Sequence, residues 1–162
     1  MNRDRHSILK AWIAAILWLI VIAIESTALA SASNTSRILY PLLHWLFNMD
    51  PERFDYWHFY IRKTGHVFGY GMLCFLLFRA WRATWPKNNV KWTPLWASLA
   101  ILGTAIVASL DEWHQTFIPT RTGRWQDVVL DTCAGILAQI LILIWWRLFR
   151  KGTTSVVPST VE

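Results

Sequence analysis

Residues 109–131, SLDEWHQTFIPTRTGRWQDVVLD, gather Asp111, Glu112, His114, Gln115, Arg121, Arg124, Asp127 and Asp131 between two apolar runs. Carboxylates at this density could do acid and base work, hold a divalent cation, or help the arginines grip an anionic head group. Asp111 and Glu112 lie four and three residues before Gln115, spacings that cluster all three at one helix end. Asp127 and Asp131 share a face near the start of the next helix, where negative charge is favoured. Neighbouring carboxylates resist joint ionisation in a low dielectric unless a cation compensates. The cations at hand are Lys63, Arg121, Arg124 and a protonated His66. The competing reading is an ion-pair network that only fixes the helices to one another.

A second set lies upstream, in Lys63-x-x-His66-x-x-x-Tyr70. Spacings of three, four and seven put these side chains on one helical face. A lipid-facing surface should be apolar, so this polar stripe is expected to look into a bundle, with Gly65, Gly69 and Gly71 allowing close helix approach. The candidate acid–base residues are therefore Glu112, Asp111 and His66. The candidate ligand-binding residues are Lys63, Tyr70, Gln115, Arg121, Asp127 and Asp131. His66, His114, Asp111 and Glu112 have donor types that suit several divalent ions, but no fixed spacing such as H-E-x-x-H is present. No metal and no cofactor is assigned on the sequence.

The elements that must position these groups are membrane spans. The chain has 162 residues, 54% of them hydrophobic, with 12 tryptophans, a composition that argues against a soluble domain of this size. Apolar runs predict an all-α membrane protein with four transmembrane helices at about 11–30, 64–81, 95–113 and 127–148. Residues 37–47 are apolar on most sides but too short to cross, which predicts an interfacial or re-entrant segment between the first and second spans. Met49-Asp50-Pro51-Glu52 supplies the turn after it. A single domain covers 1–152, and 153–162 read as a disordered tail. The small-residue sequence Ala28-Leu-Ala-Ser-Ala32 offers a rival reading of the first run as a cleaved signal peptide, against which stand its length and Glu25. Cys74 and Cys133 fall inside apolar runs, where a thiol packs as a small hydrophobe.

The net charge of +6 comes from basic residues that flank apolar runs, which makes them membrane anchors and excludes nucleic acid as a partner. With both termini cytoplasmic, the inner set is Arg3, Arg5, Lys10, Arg79, Arg82, Lys87, Lys91, Arg147, Arg150 and Lys151. The outer set is Arg37, Arg53, Arg62, Lys63, Arg121 and Arg124. Ten against six favours this orientation, which places the polar constellation on the extracytoplasmic side.

Lys63-x-x-His66-x-x-x-Tyr70, Asp111-Glu112-x-x-Gln115-x-Phe117-x-x-x-Arg121, and Asp127 followed by Asp131 together resemble the VanZ-like membrane proteins. The motifs cover roughly residues 61–139. Two positions depart from the pattern: Asp131 stands where members often have Asn, and Gly135 falls one residue late. The resemblance implies a small multi-span protein of the bacterial cytoplasmic membrane, in a family named for low-level teicoplanin resistance. Its expected partners are membrane lipids, a lipid-linked cell-wall intermediate or a glycopeptide, and a homodimer is a candidate assembly. Two activities stay open: a binding protein for an anionic lipid or envelope component, and an intramembrane enzyme acting on a lipid-linked cell-wall intermediate through carboxylate and histidine chemistry.

Overall fold

The computed structural model describes residues 2–87 and 90–149. Arg150, Lys151 and the expected tail at 153–162 lie outside the described residues. Within them the chain forms five α-helices and no strand: α1 Asn2–Ser26, α2 Ala32–Phe47, α3 Pro51–Thr84, α4 Pro94–Gln115 and α5 Trp125–Phe149. The α3 helix is the centre of the bundle and packs against α1, α4 and α5.

Local chemistry sets the helix limits. The first helix ends at Ser26 rather than running to residue 30, because Thr27 takes an extended backbone and caps a short 3₁₀ turn, Ala28–Ala30. Ser31 then caps α2, accepting a hydrogen bond from the Asn34 N–H. The helix over the stretch expected at residues 37–47 is therefore longer, Ala32–Phe47. No residue of α2 is buried, and Ile38 and Trp45 are 76% and 80% exposed, so the bundle leaves apolar surface of this helix uncovered. Asn48 closes α2 in the left-handed conformation (φ 48°), a region that asparagine tolerates. Asp50 then caps α3, with Pro51 in its first turn where a missing N–H costs nothing.

The longest helix differs most from expectation. It runs 34 residues, about 50 Å at 1.5 Å per residue and well beyond a hydrocarbon core of ~30 Å. The predicted second span, 64–81, is its second half. Among the described residues, three helices are long and apolar enough to cross a membrane: Arg5–Ser26, Pro94–Gln115 and Trp125–Phe149. The α3 helix is not among them, because His66, Tyr70, three glycines and Arg79 dilute its apolar stretch.

The core is small and aromatic. Leu73, Cys74, Phe78, Trp96 and Ala100 are essentially inaccessible, and Ala15 and Ile22 of α1 join them. Trp18 donates its indole N–H to the Gly69 carbonyl at 2.8 Å, so α1 is an integral member of the bundle. A Cβ on Gly135 would lie 3.3 Å from both the Cys74 Cβ and the Thr104 Cγ2, so this late glycine is what brings α5 close to α3 and α4. Gly65 and Gly69 behave otherwise. A Cβ on either would meet nothing within 4 Å, and both line a small cavity, so they create space instead of close approach.

Candidate functional site

The polar residues of α3, α4 and α5 converge at one end of the bundle. Lys63 of α3 forms an ion pair with Asp127 of α5, in the first turn of that helix. One turn deeper, the His66 Nδ1 meets the Asp131 Oδ2 at 3.3 Å. A further turn in, the Tyr70 hydroxyl donates to the Asp111 Oδ2 of α4 at 2.7 Å. The three pairings descend α3 in the order set by the spacing, and His66 stacks on Tyr70 with ring centroids 6.2 Å apart.

The loop between α4 and α5 closes the cluster from outside. Its Arg124 backbone N–H donates to the Glu112 Oε2 at 2.7 Å. Gly123 makes that approach possible, because a Cβ there would collide with the Glu112 carbonyl oxygen and lie 2.6 Å from the Thr116 Cγ2. The Arg121 guanidinium turns toward α1 and donates to the Glu25 and Thr27 carbonyls, the latter at 2.9 Å. It thus caps the C-terminal end of α1, where carbonyls have no helical partner. Burial, and then the nearby Arg62, draw the Arg121 pKa below its ordinary value. His114 is tied to Ser26, Nδ1 to Oγ at 3.1 Å, and stands apart from the cluster.

The candidate acid–base and ligand-binding residues thus lie in one region, in two unlike environments, with His114 outside it. Asp111, Glu112, Gln115 and Asp131 are buried, Asp131 completely. Among the described residues, the Asp111 Oδ1, Glu112 Oε1, Asp131 Oδ1 and Gln115 Nε2 have no hydrogen-bond partner. His66, Asp111 and Glu112 each bring a ligating atom within 4.8 Å of the others, a grouping that linear spacing did not display. Above them lies a basic vestibule of about 190 Å³, whose lining includes Arg62, Lys63, Arg121 and Arg124. Beneath it lies a cavity of about 20 Å³, bordered by Glu25, Tyr70 and Asp111. His66 and Gln115 line both spaces and form the wall between them.

Sequence reasoning did not assign Arg62 to the site and left open whether Glu25 joins it. Arg62 directly precedes Lys63, and its place in the vestibule follows from the same helical turn. Glu25 sits at the polar end of α1, yet nothing local showed that this end would border the cavity.

The donor set can grip an anion, move protons between carboxylates and His66, or hold a cation. Compared with known proteins, residues 11–147 match the model of the family described as VanZ/LLP1. No curated protein and no solved structure matches the chain.

Proposed function

The chain belongs to the VanZ/LLP1 family, and from that premise we propose that it binds the head group of an anionic lipid or lipid-linked envelope component at the extracytoplasmic face of the bacterial cytoplasmic membrane. Membrane residence rests on the family and on three helices able to cross. The second half of α3, enclosed by α1, α4 and α5, makes a fourth crossing in this reading, because its polar stripe faces protein. Both termini then lie in the cytoplasm, in keeping with the greater basic charge on that side.

One observation carries the proposal: four basic side chains line a vestibule of about 190 Å³ at the end of the bundle where α4 leads into α5. Guanidinium groups suit phosphate and carboxylate because they donate in a fork. Among the described residues the Arg124 guanidinium has no hydrogen-bond or ion-pair partner, which leaves it to a ligand. Occupation of such a site would couple the protein to envelope precursors, the setting in which a glycopeptide-resistance role makes physical sense.

The test is a lipid census. The protein is extracted in native-lipid nanodiscs and its lipids are compared with those of Lys63→Ala/Arg124→Ala. Arg121 is left intact because its loss would loosen α1. An anionic or polyprenyl-linked lipid enriched several-fold in the wild type and lost from the variant is the expected result. Identical lipid profiles would reject the proposal.

The His66–Asp131 contact, with Glu112 close by, supports a second reading, an intramembrane enzyme in which Glu112 or Asp111 is the base and His66 the proton shuttle. With the enriched lipid in hand, Glu112→Gln separates the two: an enzyme keeps the lipid and loses turnover, whereas a binding protein shows no turnover to lose.

A further inference from the structure

The buried end of α4 carries more negative charge than its partners answer. Lys63 is committed to Asp127 and Arg121 to carbonyls of α1. Asp111 and Glu112 receive one neutral donor each, the Tyr70 hydroxyl and the Arg124 backbone N–H. Both carboxylates are more than nine-tenths buried, and each keeps one oxygen without a hydrogen-bond partner among the described residues. Buried charge in this condition is costly unless a cation neutralises it.

We propose that His66, Asp111 and Glu112 ligate a divalent metal ion, with Asp131 and Tyr70 orienting the ligands from behind. The three ligating atoms lie within 4.8 Å of one another. Atoms ~2.1 Å from a common ion lie at most ~4.2 Å apart, so small side-chain rotations close the site. With Nδ1 turned to Asp131, Nε2 is the ring nitrogen left to ligate. This carboxylate–histidine–metal arrangement fixes ring orientation and tautomer in metal sites generally. Two carboxylates and a neutral imidazole balance a double positive charge. The cavity of about 20 Å³ borders His66 and Asp111 and exceeds the ~10–15 Å³ that one water needs, so a water can complete the coordination. One nitrogen and two carboxylates favour Mn²⁺ or Zn²⁺ over Mg²⁺ or Ca²⁺, which prefer oxygen alone. The inference stands on the ligand cluster and does not require the vestibule to bind lipid.

The full chain, in nanodiscs of phosphatidylcholine to avoid anionic lipid, is titrated with Mn²⁺ alone and followed by electron paramagnetic resonance, with Zn²⁺ as competitor. One Mn²⁺ per chain, displaced by Zn²⁺, is expected. Glu112→Gln and Asp111→Asn should weaken binding at least tenfold, and Asp131→Asn by roughly tenfold as an outer partner. Lys63→Ala/Arg124→Ala should bind Mn²⁺ as the wild type does, even where it loses lipid, which separates this result from the head-group test. Absence of a stoichiometric Mn²⁺ in the wild type, or undiminished binding in Glu112→Gln, would overturn the proposal. Should the variants fail to fold, electron spin echo spectra of the wild-type complex decide it: coupling to one imidazole nitrogen supports the site, and its absence overturns it.

Discussion

The two ends of the bundle both carry cations and give them different main partners, although Lys63 at the carboxylate end also lies over the Phe59 ring, 5.6 Å from its centroid. At the carboxylate end, positive charge meets acids and carbonyls: Lys63 on Asp127, and Arg121 on the Glu25 and Thr27 carbonyls. At the other end, cations lie over aromatic rings: Arg82 and Lys91 share Trp146, at 5.7 and 4.7 Å from its centroid. Arg79 lies over Phe75 at 5.7 Å, and Trp12 packs edge-on against Trp81 at 5.1 Å. That end opens into a groove of about 1060 Å³ lined largely by apolar and aromatic side chains. Cation–π contacts let a charge sit where polar heads meet hydrocarbon without burying an acid. The aromatic end thus has the make-up that suits a membrane interface, whereas the carboxylate end gathers its charge among buried acids.

The comparison predicts unequal sensitivity. Tyr70→Phe leaves Asp111 with no donor among the described residues, and loss of a buried partner costs about 1–3 kcal/mol. Thermal unfolding in nanodiscs should show that drop, and an unchanged melting temperature would remove the distinction. Lys91→Met keeps the aliphatic stem and deletes one exposed cation–π contact, with an expected cost of about 0.5–1 kcal/mol. A larger loss than for Tyr70→Phe would reverse the ranking of the two ends.

Acidification provides the smallest effect, confined to the carboxylate half. His58 of α3 is buried and hydrogen-bonded to Thr35 of α2 at 2.9 Å. Burial, then Arg62, lower its pKa from the ordinary 6.5, against a smaller opposing pull from Asp55. The unfolded chain therefore binds the proton more readily than the folded one. Stability contributed by neutral His58 is present above about 6.5 and declines as pH falls below it. Melting curves from pH 7.5 to 5.5 should show the decline in the wild type and a shallower one in His58→Gln. Equal slopes would remove His58 as its source.

Much of this organisation was legible in residue order. The apolar runs of α1, α4 and α5 are long enough to cross a hydrocarbon core of ~30 Å, and the polar stripe of α3 recurs every three or four residues, so helix type and inward face follow from local periodicity. Boundaries were harder. Thr27 ends α1 early, and Asp50 with Pro51 starts α3 well before its apolar stretch, because capping depends on single side chains that hydropathy averages away. Gly65 and Gly69 look like packing glycines in sequence and border a cavity in the fold, since only the neighbours of a glycine decide whether its missing side chain is filled.

Sequence alone determined that this chain makes apolar helices, and that Lys63, His66 and Tyr70 share one face while Asp127 and Asp131 share another. Periodicity is a property of consecutive residues and needs no partner. Tertiary structure alone decided that His66 faces Asp131, that Tyr70 reaches Asp111, that Arg121 caps α1, and that His66, Asp111 and Glu112 form a single ligand cluster. Those pairings join residues 41 to 96 positions apart, and over such separations only the packing of the helices sets which polar atoms meet.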